Sequence, residues 1–329
     1  MLEARVDFLE FTVPAGAFYD LVGLLPGGLV PLERGWRGYT SSALVAGGKG
    51  RLAWSVDRED MGVHCSLGAE ALAVFAGLDP RWGDVAGMLA VLRDELGGHV
   101  TRVDVAWDDK EGALDLDVME AAVNEGSFTS RWRGGHTWKG WGDKAGSQTL
   151  YFGSGKSDTM LRCYDKRAER LSKGHEVSED HWLRVELQLR RKRADAAAEV
   201  FQGAKVDPRA VFRHLAGILR GYLEFKVPSV SDSNKRRWEP APWWVSFLGD
   251  VEKARLEVDA AVRTIGHVKA WVSNQVAPSL ALLEKWMGSE AAWSFLRAQA
   301  VDGRARWGPR HRAILQATKQ EQLAGIVSG

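Results

Sequence analysis

Residues 159–166, Thr-Met-Leu-Arg-Cys-Tyr-Asp-Lys, set one of only five tyrosines, Tyr164, between Arg162 and Lys166, with Arg167 and Arg170 following. A phenol ionises near pH 10 and is a poor nucleophile at neutral pH. Neighbouring cations and a bound metal are the means by which a protein lets it attack phosphorus. The chemistry on offer is transesterification of a phosphodiester. Tyr164 would displace a 3′-oxygen, leaving a 5′-phosphotyrosine and a free 3′-OH, while Arg162 and Lys166 hold phosphate oxygens or favour the phenolate. Such an exchange keeps the energy of the bond, so the break can be resealed.

Two further segments supply carboxylates. Strand alternation over 101–109 puts Arg102, Asp104, Ala106 and Asp108 on one face, with Val103, Val105 and Trp107 on the other. Over 183–190 a polar face of Arg184, Glu186, Gln188 and Arg190 opposes Leu183, Val185, Leu187 and Leu189. Arg162 and Tyr164 share a face of a strand over 159–165, with Cys163 opposite. An antiparallel sheet with one packed and one wet face accounts for all three patterns. Its open face would gather Asp104, Asp108, Glu186, Gln188, Arg162 and Tyr164. Carboxylates so placed suit Mg²⁺ or Mn²⁺, which polarise a phosphodiester. The bland reading of the same pattern is a solvated sheet face with cross-strand ion pairs. The eight histidines form no HxH pair and no HExxH, and His181 beside Trp182 reads as structural. GSGKS at 153–157 lacks the GxxxxGK[ST] spacing and a long following helix, so it is no nucleotide loop, though Lys156 could touch a DNA phosphate.

The elements that must position these groups follow from periodicity. Strands are expected near 6–13, 39–46, 51–56, 62–67, 100–107, 148–153, 159–165 and 182–190. Helices are expected near 84–96 with Asp84 as N-cap, and at 114–125, 165–172, 194–202 and 208–223. Residues 131–147, rich in Gly, Trp and Lys, read as a loop. Most of the fifteen tryptophans read as core or interdomain anchors. Trp132, Trp138 and Trp141 differ, because they alternate with Arg131, Arg133 and Lys139, a composition suited to stacking bases while holding phosphates. Near Pro228 the segment PSVSDSNKRRWEPAPWW marks a linker or crossing loop. Helices at 245–262, 268–275, 279–287, 289–300 and 312–325 follow it. The expected architecture is an α+β domain over 1–226 and a helical domain over 227–329.

Composition narrows the class. Hydrophobic content of 45% and charged content of 26% are those of a soluble globular protein. No run approaches the roughly 18–20 apolar residues of a membrane span. The start MLEARVDFLEF carries acids where a signal peptide needs a basic region, and the two cysteines have no CxxC spacing. A cytoplasmic protein without a membrane partner is expected. The formal net charge is +1, yet residues 131–193 hold 15 Lys and Arg against 8 Asp and Glu. That basic segment coincides with the candidate site and could steer polyanions to it.

The blocks VDFLEFTV, TRVDVAWDD (101–109), QTLYFGSGKSDTMLRCYDK (148–166) and WLRVELQLRRKRA (182–194), with a tail containing WWVSFL and WVSNQVAPSL, resemble the Rep_trans-type replication initiation factors of plasmids and phages. That resemblance implies initiation of rolling-circle replication by metal-dependent, origin-specific nicking and joining of one DNA strand. The implied fold is a relaxase-like antiparallel sheet flanked by helices, related to the HUH endonucleases but without their paired histidines. It makes Tyr164 the nucleophile, with Tyr151 as the alternative in a matched block. It makes Asp104 and Glu186 metal ligands for Mg²⁺ or Mn²⁺; Asp108 joins them from the shared face, with Asp109 as its alternative. Arg131, Arg133, Lys156, Arg184 and Arg190 are the expected DNA contacts. Expected partners are origin DNA, single-stranded or in a hairpin, a host helicase and a second copy of the chain. The helical tail would serve DNA recognition, helicase contact or oligomerisation. Two rival functions share the carboxylates or the fold: a hydrolytic metal nuclease using Asp104, Glu186 and Gln188 with water, and a non-catalytic DNA-binding regulator.

Overall fold

A computed structural model describes residues 3–25, 27–76, 85–141, 147–203, 208–249, 251–254 and 272–308, with a few further positions between 265 and 319. Its strands are β1 (Glu3–Val13), β2 (Val30–Leu32), β3 (Ser41–Val45), β4 (Gly50–Trp54), β5 (Val63–Gly68), β6 (His99–Asp109), β7 (Phe128–Ser130), β8 (Gly135–Lys139), β9 (Gln148–Gly153), β10 (Thr159–Asp165), β11 (Leu183–Arg190) and β12 (Leu223–Phe225). Ten of them form one sheet in the order β2-β3-β4-β5-β1-β6-β11-β10-β9-β8, and β12 pairs with β7 in a second. Every pairing is antiparallel. The helices are α1 (Phe18–Leu24), α2 (Ala69–Ala76), α3 (Val85–Ala90), α4 (Leu116–Glu125), α5 (Lys166–Ser172), α6 (Lys192–Gly203), α7 (Pro208–Tyr222) and α8 (Pro242–Leu248).

The expected alternation decides which face is covered. Val185, Leu187 and Leu189 are fully buried, and Val105, Trp107, Leu161 and Cys163 join them in one core. Helix α6 packs against β6 and β11 through Ala194, Ala197, Ala198 and Phe201, a stripe at helical spacing. Each fully buried Val or Leu contributes about 1.5–3 kcal/mol. The Asp115 carboxylate caps α4 by accepting from the backbone N–H groups of Asp117 and Val118 at 2.8 and 3.2 Å. Asp165 caps α5 in the same way, accepting from Ala168 N–H at 2.8 Å. The helix therefore starts one residue after Tyr164's neighbour on β10.

The other face departs from expectation. It was expected to be wet, but at the sheet centre Asp104, Asp108, Arg184, Glu186 and Gln188 are all buried. Long polar side chains on adjacent central strands cover one another and are satisfied by mutual pairing rather than by water. Arg184 donates to both Asp108 oxygens at 2.7 and 2.8 Å and to Asp7 Oδ1 at 2.6 Å.

Local differences have local causes. Residues 131–147, expected as a loop, contain β8, which closes the sheet at that end. A Cβ at Gly135 would strike the Tyr151 carbonyl oxygen, so only glycine lets these two strands approach. The helix expected over 245–262 begins at Pro242 and ends at Leu248, where Gly249 adopts φ 71°. The expected N-cap Asp84, residues 255–262 and most of 312–325 lie outside the described residues.

The chain divides into two compact units, Met1–Val258 and Asp259–Gly329. The boundary expected at 226/227 thus lies inside the first unit, because the crossing segment is packed. Trp244 is fully buried against Phe225, and Lys226 Nζ donates to the Trp238 carbonyl at 2.8 Å. Beyond Gly249 the chain runs along α7, where Ala254 N–H donates to Gly217 O at 2.9 Å and Arg220 Nη1 to Val251 O at 2.5 Å. The described residues of the second unit include the α-helices Ala277–Met287 and Ser289–Ala305, preceded by a π-helical turn at Val272–Val276. No helix among the described residues is long and apolar enough to cross a membrane.

Two stability outcomes follow. Arg184→Ala strips buried carboxylates of their partner and should cost about 3–5 kcal/mol, read as a lowered denaturant midpoint. A midpoint within experimental error of wild type would show that the polar face is not held by this pair. Gly221→Ala should lower the melting temperature although alanine favours helices, because its Cβ would lie 2.6 Å from the Ala254 carbonyl oxygen. A raised melting temperature would mean that the 251–254 segment is not seated there.

Candidate active site

Register across the sheet sets the site as rows of side chains. One row runs Ala106–Glu186–Arg162–Tyr151–His136 over β6, β11, β10, β9 and β8. The next runs Asp108–Arg184–Tyr164–Thr149–Trp138, and on the other side lies Asp104–Gln188–Met160–Gly153. Tyr164 is therefore the diagonal neighbour of Glu186, and its hydroxyl donates to Glu186 Oε2 at 3.2 Å. Arg162 binds Glu186 Oε1 through Nη2, which also lies 3.8 Å from Asp104 Oδ2. Asp104 accepts from Arg102 at 2.8 and 2.5 Å and from Gln188 Nε2 at 3.3 Å.

These groups open onto a cavity of about 490 Å³. Asp7, Phe8, Arg162, Tyr164 and Glu186 line it from the sheet, with Tyr151 and Thr149 beside them. Lys166, Glu169, Arg170 and Lys173 reach it from α5, and Lys49 and Glu70 from the far side. Both sets of lysines carry acidic partners: Lys49 pairs with Glu70 at 2.6 Å, Lys166 with Glu169 at 2.5 Å, and Lys173 with Glu169 as well.

The electrostatics differ from the expected ones. Burial pushes the Tyr164 phenol well above its ordinary range, and the adjacent Glu186 carboxylate adds to this, with Arg184 opposing. Arg162 and Lys166, the cations expected to favour the phenolate, are each engaged by a glutamate as well. Glu186 itself is raised by burial; Arg162 opposes this and the neighbouring Asp104 carboxylate reinforces it. A buried carboxylate with raised proton affinity, hydrogen-bonded to the phenol, is placed to take its proton.

Two expected roles are corrected by the geometry. Both Asp108 oxygens are taken, by Arg184 and by Arg5 at 2.5 Å, so Asp108 is a structural counter-ion rather than an available metal ligand. Burial alone would raise its carboxyl, and the bonds from Arg184 overcome this and hold it below the ordinary range. Arg184, expected at DNA, is 1% exposed and stands beneath the site as a strut. Asp109 accepts from Leu114 N–H at 2.7 Å, which anchors the turn after β6, and lies 3.1 Å from Nε2 of His181, just before β11.

The remaining positions sort by exposure. Arg131, Arg133 and Lys156 are exposed and Arg190 is half-buried. Trp138 and Trp141 are exposed and free to stack. Trp132 is not: its indole N–H donates to Thr159 and its ring stacks on Tyr222 at 5.0 Å, so it anchors the core. GSGKS is the turn between β9 and β10, with Ser157 N–H donating to Ser154 O at 2.9 Å.

Among the described residues no three His, Cys, Asp or Glu side chains converge as a metal site. Asp104 and Glu186 nevertheless adjoin each other, and Gln188 Oε1 beside them is buried without a hydrogen-bond partner. Two carboxylates and an unsatisfied amide oxygen are the hard donor set that Mg²⁺ or Mn²⁺ prefers. The donor set fits such an ion once Arg102 and Arg162 release the carboxylates they hold.

Several site residues escaped the sequence reading. Asp7 reaches Arg184 because a register shift between Val6 and Phe8 interrupts simple alternation in β1. Glu169 and Lys173 carried a legible signal, since positions 166, 169, 170 and 173 lie on one helical face. Lys49 and Glu70 carried none, because the fold brings the β3–β4 turn to the start of α2.

Comparisons with known proteins agree with this geometry. The family model described as replication initiation factor, Rep_trans, matches residues 98–297. A protein named "Putative DNA relaxase NicK" from Bacillus subtilis (strain 168) is 28% identical over 193 residues, covering 57% of this chain. The chain spans about half the length of that relative, 53%. A solved structure titled as the rolling circle replication initiator protein from Geobacillus stearothermophilus superposes with a TM-score of 0.64 at 25% identity. That superposition covers 79% of this chain and 100% of the other. An antiparallel sheet flanked by helices, a match over most of that sheet's catalytic half and the superposition lead to one assignment: the chain belongs to the Rep_trans family of replication initiation factors.

Proposed function

We propose that this protein nicks and rejoins one DNA strand at a replication origin, with Tyr164 as the attacking group. One observation carries the reading: the Tyr164 hydroxyl, hydrogen-bonded to the buried Glu186, faces a cavity with cationic walls inside a replication-initiator fold. The names of the relatives, a relaxase and a rolling-circle initiator, support it.

In the forward step the Tyr164 oxygen bonds to phosphorus as the bond from phosphorus to the 3′-oxygen breaks; the phenolic proton passes to Glu186 Oε2, and the departing 3′-oxygen takes a proton from solvent. The products are a 5′-phosphotyrosine and a free 3′-OH. Because the bond count is unchanged, the 3′-OH can later attack the phosphotyrosine and restore the strand and the phenol. Arg162 can leave Glu186 for the incoming phosphate, where a guanidinium neutralises charge on the non-bridging oxygens. Lys166 and Lys173 do the same from α5 once DNA displaces Glu169 from them. Asp104, Glu186 and the Gln188 amide oxygen would hold a divalent cation. Bound there, Mg²⁺ or Mn²⁺ supplies Lewis-acid polarisation of the phosphodiester and lowers the cost of ionising a buried phenol.

Arg131, Arg133, Lys156 and the exposed Trp138 and Trp141 are assigned to DNA outside the cavity. The second unit, Asp259–Gly329, is assigned to partner contact, helicase or second copy, which the exposed Leu282, Trp286 and Trp293 on its helices support. Tyr151 lines the same cavity opposite Arg162 and is the one competing nucleophile that the geometry favours.

Incubation with Mn²⁺ and a labelled origin strand should give a protein–DNA adduct that Tyr164→Phe abolishes while the fold is retained. An adduct that persists in Tyr164→Phe and vanishes in Tyr151→Phe would move the nucleophile to β9. Strand cleavage with no adduct in the wild type would favour water as nucleophile. Glu186→Gln keeps an acceptor for Arg162 but removes the base, and should slow adduct formation by about 10²-fold or more. A rate within a factor of two or three of wild type would remove Glu186 from the proton transfer.

A further inference from the structure

Beyond the cavity, the polar face carries a second arrangement. One cross-strand row runs Arg51–Ser66–Glu10–Arg102–Arg190 over β4, β5, β1, β6 and β11. Arg102 and Arg190 stand directly opposite each other, and like charges so placed destabilise a sheet. Arg102 is paired with Asp104, but among the described residues neither Arg51 nor Arg190 has a carboxylate partner. Arg51 reaches only Ser42 Oγ, at 3.1 Å, and its Nε is buried without a hydrogen bond. Arg190 donates to the carbonyl of Gly155.

A fourth arginine is aimed at this row by a strained turn. Trp36 and Tyr39 exchange both backbone hydrogen bonds, at 3.1 and 3.0 Å, leaving Arg37 at φ 54° and Gly38 at φ 87°. A left-handed arginine in such a turn is strained, and strain of this kind persists where surrounding contacts over-determine it. Arg37 Nη1 lies 2.7 Å from Glu10 Oε1. The Trp36 ring holds the guanidinium groups of Arg37 and Arg51 at 4.4 and 4.9 Å from its centroid. Guanidinium groups stacked on an aromatic ring are preorganised and keep in-plane donors for phosphate. Four arginines here face two carboxylates, Glu10 and Asp104.

We propose that Arg37 and Arg51, held on Trp36, together with Arg102 and Arg190 form a track for the sugar-phosphate backbone of single-stranded DNA on one side of the scissile phosphate. The row lies four residues along β11 from Glu186, about 13 Å, and joins the cavity through Phe8, whose ring carries the Arg102 guanidinium at 4.2 Å. Residues 36–51 precede the family-matched segment, 98–297. The proposal rests on the nicking reading of the Tyr164 site, because the strand that leaves that cavity is what the track would hold.

The test is binding of fluorescein-labelled oligothymidylate in EDTA over a range of salt concentrations. Arg51→Gln should weaken binding about fivefold or more and make the slope of log K against log salt shallower by about 0.7, one phosphate contact on a single strand. Arg51→Lys should recover most of the slope, which a merely misfolded variant would not do, and Arg190→Gln should act like Arg51→Gln. Unchanged affinity and slope in both Gln variants overturn the track, as does Arg51-dependent binding of duplex without binding of oligothymidylate. Adduct formation by the wild type is scored separately. An adduct with no Arg51 effect sinks the track alone, whereas an Arg51 effect without any adduct sinks the nicking reading and leaves the surface as a DNA-binding one.

Discussion

Charges buried at the centre of a sheet must be paired, and that constraint organises this protein. On β6, β11 and β10 the polar face holds Asp104, Asp108, Arg184, Glu186 and Arg162 in adjacent rows. Water is largely excluded from them, so each guanidinium is fixed by a carboxylate and each carboxylate by a guanidinium. Asp108, Arg184 and Asp7 form the inert part of this network, closed on itself below Tyr164. Asp104, Glu186 and Arg162 form the part proposed to react, beside a phenol, an unsatisfied amide oxygen and a cavity. The same desolvation that makes the network costly raises the proton affinity of Tyr164 and Glu186 together. A phenol so placed holds its proton more firmly than a free one.

The cationic walls follow the same logic on a looser scale. Lys49, Lys166 and Lys173 are answered by the exposed Glu70 and the half-buried Glu169, carboxylates that a phosphate can replace. Among the described residues Arg51 and Arg190 have no such stand-in, and their excess charge lies on the sheet rather than on a loop.

Much of the frame was legible in the sequence, since period-two alternation in 101–109 and 183–190 is strict enough to assign both faces of the central strands. Their co-facial grouping with Arg162 and Tyr164 followed from the same rule. Depth of burial was not legible, because alternation tells which side a residue faces but not whether long side chains on neighbouring strands will cover it. Asp108 and Arg184 were therefore assigned to metal and DNA when they belong to each other. Asp7 was hidden by an irregularity in β1, and β8 by a glycine-rich composition that reads as a loop until Gly135 is seen against the Tyr151 backbone. The packed crossing segment around Trp244 was read as a boundary because proline and serine mark chain direction, not whether aromatic side chains pull a segment onto the core.

The central claim is that Tyr164 becomes covalently joined to DNA. Mass spectrometry of the tryptic digest of the trapped protein–DNA complex tests it most directly, because Arg162 and Lys166 release Tyr164 in the four-residue peptide 163–166 while Tyr151 leaves in the peptide 145–156. A nucleotide mass on 163–166 is the expected result. The same mass on 145–156, or on neither peptide from a complex that has cut its strand, would contradict the account.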